Sequence, residues 1–119
     1  MNKSDLANVL QKLTTQIQQL LGDNLNKIVL FGSYAHGDNT EWSDVDILVL
    51  INMSPQENNG IFHELNRIFI RLGLEHEILL SLCLIDKASY DSRTSFHPFY
   101  QNIEKDGVVL YEAQKNDSD

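Results

Sequence analysis

The chain has 119 residues and carries 9 lysines and arginines against 17 aspartates and glutamates, a net charge of −8 at pH 7. This length predicts one domain, and the negative charge argues against a function of coating nucleic acid. The one cysteine, Cys83, excludes an intramolecular disulfide and a cysteine-based zinc site, and no apolar run reaches the ~18 residues of a membrane-spanning helix. The first residues also lack the apolar core of a signal peptide, so we expect a cytoplasmic protein with no membrane partner.

The predicted elements alternate between helices and short strands. Apolar residues spaced three and four apart indicate helices, and short runs of β-branched and aromatic residues indicate strands. A capped segment is also predicted at Asp86, whose carboxylate can cap a helix. In chain order the predicted elements are a helix over 5–21, strands over 27–31 and 45–51, a helix from Ser54 and Pro55 to Gly73, a strand over 75–85, a helix over 97–105 and a strand over 108–111.

This order of elements predicts an α+β (mixed α/β) fold. Two consecutive strands without a helix between them form a hairpin-like pair, and helical connections join the later strands. The arrangement favours a mixed sheet with helices packed mainly on one side over a doubly wound parallel sheet. We predict a single domain over 1–113 and a disordered polar tail over 114–119.

Gly32 and Ser33 follow directly after the first predicted strand. Glycine lets the backbone approach a ligand closely, and the N–H groups of a strand-to-helix turn bind anions. The Ser33 hydroxyl can donate to the same phosphate. Because such a pair is usually an ordinary tight turn, the prediction of a phosphate site depends on what lies beside it.

Asp44 and Asp46 stand at the start of the next predicted strand. Residues i and i+2 of a strand point to the same face, so the two carboxylates repel each other unless a cation lies between them. Magnesium is typically held by one or two carboxylates together with substrate phosphates. For this pair alone, the alternatives are a solvated strand end and a helix-cap partner. Since consecutive strands are usually neighbours, the two motifs together predict a site for nucleotide phosphates and metal.

Both motifs belong to a family signature. The chain resembles the DNA polymerase β-type nucleotidyltransferases, in their minimal MNT branch, through Gly32-Ser33-Tyr34-Ala35-His36-Gly37 and Ser43-Asp44-Val45-Asp46-Ile47-Leu48-Val49. The resemblance implies the polymerase β-like fold and the transfer of a nucleoside monophosphate, with AMP from ATP as the expected case, to a hydroxyl group. Members use two magnesium ions, replaceable by manganese, held by three carboxylates. Many MNT genes lie beside a gene for a HEPN-type RNase toxin, and the MNT protein is then the antitoxin.

Carried onto this chain, the resemblance implies that Gly32, Ser33 and Ser43 bind the nucleotide. It also implies that Asp44 and Asp46 are catalytic and bind the metal ions. His36 stands where the family commonly has an arginine; because histidine is not permanently charged, the alternatives are weaker or pH-sensitive triphosphate binding and, as the expected case, a loop residue of modest effect.

The third carboxylate that the resemblance implies should come from the strand after the long helix, where Glu75, Glu77 and Asp86 are the candidates. Glu75 and Glu77 share a parity, so the facing of the strand does not separate them. We predict Glu77 as the catalytic metal ligand, with Glu75 second, because Glu77 stands directly before the apolar run, where the usual aspartate of the family opens the strand. The alternative for Glu77 is a solvated strand start.

The chain has no room for the helical domain that binds the acceptor in larger relatives. The acceptor surface is therefore expected from a HEPN-type helical partner or from a second copy of the chain. The predicted function is metal-dependent transfer of AMP to a hydroxyl of that partner, with antitoxin activity. The alternative is a binding-only antitoxin that masks its partner by contact. A metal nuclease that uses Asp44 and Asp46 is disfavoured by Gly32-Ser33 and by the negative charge.

Overall fold

The structure is a computed structural model that describes residues 3–40, 43–53, 57 and 60–114. A single 3-10 turn (Gly22–Asn24) joins the first helix to the first strand in this part of the chain. The helices are α1 (Lys3–Leu21), α2 (Ser33–His36), α3 (Ile61–His76), α4 (Lys87–Thr94) and α5 (Pro98–Asp106), and the strands are β1 (Leu25–Phe31), β2 (Val45–Ile51), β3 (Leu80–Asp86) and β4 (Val108–Glu112).

The four strands form one mixed sheet in the order β3-β2-β1-β4. β1 is antiparallel to both β2 and β4, whereas β2 and β3 are parallel. A parallel pair needs a long crossover, and α3 supplies it. The mixed α/β fold and the hairpin-like pairing of the first two strands are therefore confirmed.

Helices cover both faces of this sheet. The two long helices, α1 and α3, pack together on one face, in a core that includes Val45, Ile47 and Val49 of β2. The shorter helices α4 and α5 cover the other face, where Leu48 and Leu50 are buried. Because side chains alternate along a strand, Asp46 shares the face of Leu48 and Leu50. The two long helices lie on one face of the sheet, as predicted for the larger helical layer. The Asp46 side chain lies on the opposite face, which α4 and α5 cover.

The junction between α3 and β3 differs from the prediction. The helix does not end at Gly73 but continues to His76, and the strand that was expected from residue 75 begins at Leu80. Gly73 lies inside the helix because the returning chain passes over it: a Cβ there would be 2.6 Å from the Ile78 carbonyl oxygen. This glycine permits close packing and does not end the helix.

Two predicted features lie partly or wholly outside the described residues: the helix start at Ser54 and Pro55, and the tail beyond residue 114. Among the described residues α3 begins only at Ile61, after Gly60 in the left-handed conformation (φ 91°). The predicted cap at Asp86 is confirmed, since its carboxylate accepts the Ser89 N–H at 3.0 Å. None of the helices in the described ranges is long and apolar enough to cross a membrane.

Candidate functional site

The Gly32 turn and the Asp46 carboxylate are in contact. Phe31, the last residue of β1, is the register partner of Asp46 in β2, so Gly32 emerges beside that carboxylate. Gly32 has φ 76°, a conformation that L side chains rarely adopt, and a Cβ at this position would overlap the Asp46 carboxylate oxygen. Both the backbone and the available space therefore require glycine here. The two motifs predicted to be neighbours form one structure.

Ser33 begins the short helix α2. The N–H groups of Ala35 and His36 donate to the Gly32 carbonyl at 3.1 and 3.2 Å, and Gly37 closes the turn by donating to the Ser33 carbonyl at 2.9 Å. The first N–H groups of a helical turn have no acceptor within the helix. Ser33 thus stands at the start of these backbone donors, one residue after the contact of Gly32 with Asp46.

The carboxylate pair is electrostatically unfavourable as it stands. Asp44 is exposed just before β2, and Asp46 is half-buried. Partial burial raises the pKa of Asp46 above its usual range, and the negative charge of Asp44 raises that pKa further. Both effects disfavour the ionised form, and a cation bound between the two side chains would relieve both.

Ser43 orders the loop before Asp44. Its hydroxyl accepts the Thr40 N–H at 2.9 Å, and its own N–H donates to the Thr40 carbonyl at 3.1 Å. This reciprocal pair fixes the approach of the chain to β2. The nucleotide-binding role of Ser43 stays a prediction.

Glu75 and Glu77 are not on β3. Glu75 lies in the last turn of α3, and Glu77 ends that helix in the left-handed conformation with φ 55°. Within the described ranges, no three histidine, cysteine, aspartate or glutamate side chains are grouped to hold a metal ion. The structure therefore brings Asp46, with Asp44 two residues before it, to Gly32 at the start of α2, and it does not group Glu75 or Glu77 with the two aspartates.

Ser81 is the β3 residue beside Asp46. The parallel register pairs Val45 with Leu80 and Asp46 with Ser81. Neighbouring strands are ~4.8 Å apart, and paired residues of parallel strands share a face. The carboxylate of Asp46 in β2 and the hydroxyl of Ser81 in β3 therefore lie side by side on one face of the sheet. Ser81 was not predicted from the sequence, because the strand was expected from residue 75, five residues before its actual start. That start placed Ser81 in the middle of the apolar run. A strand that begins at Leu80 places Ser81 at the strand start, beside Asp46.

A cavity of about 290 Å³ opens beside Gly32 and Asp46, between the end of β1, α2 and α5. Its wall includes Phe99 and Asn102 of α5. His36 also lines it, with Nε2 3.7 Å from Oδ2 of Asp106 at the end of α5. His36, which stands where the family commonly has an arginine, therefore lies beside the Asp106 carboxylate.

Known proteins share this sequence pattern. The chain is 32% identical over 108 residues to MJ0141 of Methanocaldococcus jannaschii, named as a candidate protein adenylyltransferase; the match covers 89% of this chain and 99% of that protein. It is 30% identical over 112 residues to MJ1305 of the same organism, named in the same way, with 94% of this chain and 76% of that protein covered.

Solved structures share the fold. A candidate nucleotidyltransferase from Sulfolobus solfataricus superposes with a TM-score of 0.51 at 21% identity, over 98% of this chain and 94% of that one. A toxin-antitoxin with AMP-PNP superposes with a TM-score of 0.50 at 21% identity, over 87% and 73% of the two chains. The family model described as a nucleotidyltransferase domain matches residues 10–111, which include the Gly32 turn and the carboxylate pair. The chain therefore belongs to the nucleotidyltransferase domain family.

Proposed function

We propose that this chain uses magnesium to transfer AMP from ATP to a hydroxyl group of a protein partner. The observation that carries the proposal is the contact between Gly32 and Asp46, which joins an anion-binding turn to a carboxylate pair at one end of the sheet. Transfer of AMP to a protein is supported by the M. jannaschii relatives, which are named for that activity.

The donor set of the site fits magnesium. The ion prefers oxygen ligands and is commonly held by one or two carboxylates together with phosphate oxygens and water. Asp44 and Asp46 offer such oxygens, and a cation bound to them would offset the burial and the smaller effect of the Asp44 charge that together raise the pKa of Asp46. We propose these two residues as the metal ligands. A second ion and Glu77 as a third ligand have less support, because Glu77 caps α3 instead of extending β3.

The roles of the residues in the reaction follow from their positions. Bound magnesium supplies charge stabilisation to the phosphoryl group. Gly32, the Ser33 hydroxyl and the first N–H groups of α2 bind the phosphates and orient the α-phosphorus. The acceptor oxygen would bond to that phosphorus as the bond to pyrophosphate breaks, and the proton of the acceptor hydroxyl would be released to solvent.

The proposed partner is a HEPN-type helical toxin. One structural relative is a toxin-antitoxin with AMP-PNP, and the resemblance to the MNT branch points to the same pairing. A binding-only antitoxin is the second candidate function, and the observation that favours it is the hydroxyl of Ser81 beside Asp46, where a third carboxylate would complete the site. Incubating the chain and its partner with labelled ATP and magnesium separates the two candidates, because only an enzyme labels the partner.

The test of the metal site is Asp46→Asn, which keeps the shape of the side chain and removes its charge. In the parent, ATP should raise the melting temperature only with magnesium or manganese, by the equivalent of about 2.7 kcal/mol at 100 times the dissociation constant. In Asp46→Asn this metal-dependent shift should disappear. The metal-free variant should be at least as stable as the parent, because it lacks the carboxylate that burial and Asp44 disfavour.

The pH dependence gives this test an internal control. A raised folded-state pKa means that ionised Asp46 costs stability, fully above that pKa and not at all well below the unfolded value of 3.8. Any stability gained by Asp46→Asn should therefore be present near pH 7 and fade as the pH falls towards 3.8. A variant that is less stable at pH 7 and still binds magnesium-ATP would contradict the assignment, and so would an equal ATP shift of the parent in EDTA.

Ser33→Ala tests the phosphate-binding turn. The substitution removes one donor to a charged oxygen, worth about 1.5–3 kcal/mol, so magnesium-ATP affinity should fall roughly tenfold or more. Calorimetry with magnesium-ATP measures the change. Ser92→Ala, on the exposed surface of α4, is the matched control and should leave the affinity unchanged. Equal affinities for Ser33→Ala and the parent would make the turn purely structural.

A further inference from the structure

We propose that the cavity between β1, α2 and α5 binds the nucleoside part of the nucleotide and that Asn102 hydrogen-bonds its adenine base. The proposal rests on the proposed function, to which it adds the recognition of the base. It assigns a role to α5, which carries neither of the two motifs.

The cavity is continuous with the phosphate and metal site. Gly32 and Asp46 belong to its wall and also form the contact between the two motifs. A nucleotide with its phosphates at Ser33 and its metal at Asp46 therefore has its sugar and base at the mouth of the cavity. The volume of about 290 Å³ is at the lower end of the roughly 300–1,000 Å³ of small-molecule pockets, which suits a nucleoside better than a whole triphosphate.

The charges of the wall select an uncharged group. The ionisable residues lining the cavity are Asp46, Asp106 and His36, and His36 is paired with Asp106 at 3.7 Å. Neither lysine nor arginine is among the described residues that line it. Away from Asp46, where bound magnesium would hold the phosphates, the described wall therefore supplies no lysine or arginine to bind a phosphate, whereas a neutral sugar and base need none.

The aromatic rings of the wall fit a heterocycle. Phe31 and Phe99 meet edge to face, with ring centroids 5.6 Å apart and an interplanar angle of 88°. Phe99 keeps 41% of its surface exposed although it adjoins the apolar interior. A partly exposed aromatic ring beside a polar site is a surface on which bases can stack.

Asn102 supplies the polar group that distinguishes the bases. Its side chain lines the cavity from the exposed side of α5, and its amide has no hydrogen-bond partner among the described residues. A carboxamide accepts from the amino group N6 of adenine and donates to N7. Guanine presents acceptors at both corresponding positions, so the same amide makes only one of these bonds to it.

The experiment compares three ligands in calorimetry, each with magnesium: ATP, GTP and inorganic tripolyphosphate. The parent should bind ATP at least tenfold more tightly than tripolyphosphate, and more tightly than GTP. Asn102→Ala should lower the affinity for ATP three- to tenfold, the range of a neutral hydrogen bond, and leave tripolyphosphate binding unchanged. Gln101→Ala, on the same helix but outside the cavity wall, is the matched control and should change neither affinity.

The outcomes distinguish failure of the nucleoside pocket from failure of the proposed function on which it rests. Equal affinities of the parent for ATP and tripolyphosphate, both lost in Asp46→Asn, would overturn the nucleoside pocket and leave the phosphate and metal site standing. The pocket is also overturned if Asn102→Ala weakens ATP and tripolyphosphate equally, or no more than Gln101→Ala does. Absence of any Asp46-dependent binding of either ligand would overturn the proposed function itself. Both variants are at exposed helical positions, so melting temperatures near that of the parent are expected.

Discussion

On its two sides, Asp46 has very different neighbours. Towards β1 it lies against Gly32, whose positive φ L side chains rarely adopt and whose lack of a Cβ leaves room for the carboxylate. Towards β3 it stands beside Ser81, a residue held only by its register in the parallel pair. The Gly32 side of the carboxylate is closely constrained by the backbone, and the Ser81 side carries a side chain that can be replaced.

This difference indicates where the chemistry of the site is fixed. A partly buried carboxylate beside a second one costs stability, and such a group is typically kept where function requires it. The serine at the β3 side bears no such constraint, and substitution there changes charge without disturbing the backbone. We therefore expect large losses from changes at Gly32 and smaller changes, including gains, from changes at Ser81.

Gly32→Ala should have the largest effect on stability. The added Cβ meets the Asp46 carboxylate and also forces a non-glycine residue to φ 76°, so we expect a loss of about 2–4 kcal/mol in unfolding free energy. Urea denaturation of the metal-free protein measures it.

Gly37→Ala is the matched control for that loss. Gly37 also has a positive φ, 81°, but in the left-handed region (ψ 10°), which alanine tolerates better than the φ 76° and ψ −154° of Gly32, and no atom of the described residues lies within 4 Å of a Cβ at Gly37. Only the backbone penalty of about 1–2 kcal/mol should appear. Equal losses for the two variants would mean that the contact between Gly32 and Asp46 does not constrain the site.

Ser81→Asp should have effects of intermediate size: it should lower the stability of the metal-free protein and raise its affinity for manganese. A third carboxylate in the row of Asp46 should lower metal-free stability by roughly 1 kcal/mol at an effective dielectric near 20–40. Because affinity for hard cations rises with ligand charge, manganese should bind about tenfold more tightly. Calorimetry with manganese and urea denaturation measure the two effects.

Ser81→Asn provides the control, since it has the same size as the aspartate variant and no charge. It should not gain manganese affinity. If Ser81→Asp also gains no manganese affinity, the side chain at position 81 does not reach the metal site. The contrast between the Gly32 side and the Ser81 side of Asp46 would then say nothing about metal binding.

The features on the β1 side of Asp46 could be predicted from the sequence, and those on the β3 side could not. Gly32, Asp44 and Asp46 were predictable as neighbours because a short connection between consecutive strands makes their pairing nearly local. The confirmed register of Phe31 with Asp46 is a direct result of that hairpin. The cap at Asp86 was predictable for a similar reason, since its partner Ser89 is three residues away.

The α3–β3 side depended on tertiary packing. Gly73 looked like a helix end, but its packing against Ile78 keeps it inside the helix, and that contact is visible only when the returning chain is in place. The later strand start then places Ser81 beside Asp46. The cavity wall at Asn102 was equally hidden, because it depends on how α5 packs across the sheet.

Glu77→Gly is the smallest predicted effect and decides the role of the residue that the sequence favoured as third carboxylate. Glu77 holds φ 55° at the end of α3, a position where glycine is the usual residue, so the substitution should stabilise the protein by about 0.5–1 kcal/mol. Glu77→Gln removes the charge and keeps the backbone strain, and it should leave stability unchanged. Because the structure does not group Glu77 with Asp44 and Asp46, both variants should bind magnesium-ATP like the parent. Loss of that binding in both variants, with normal melting curves, would restore Glu77 as a metal ligand. It would also show that the α3–β3 junction rearranges when the nucleotide binds.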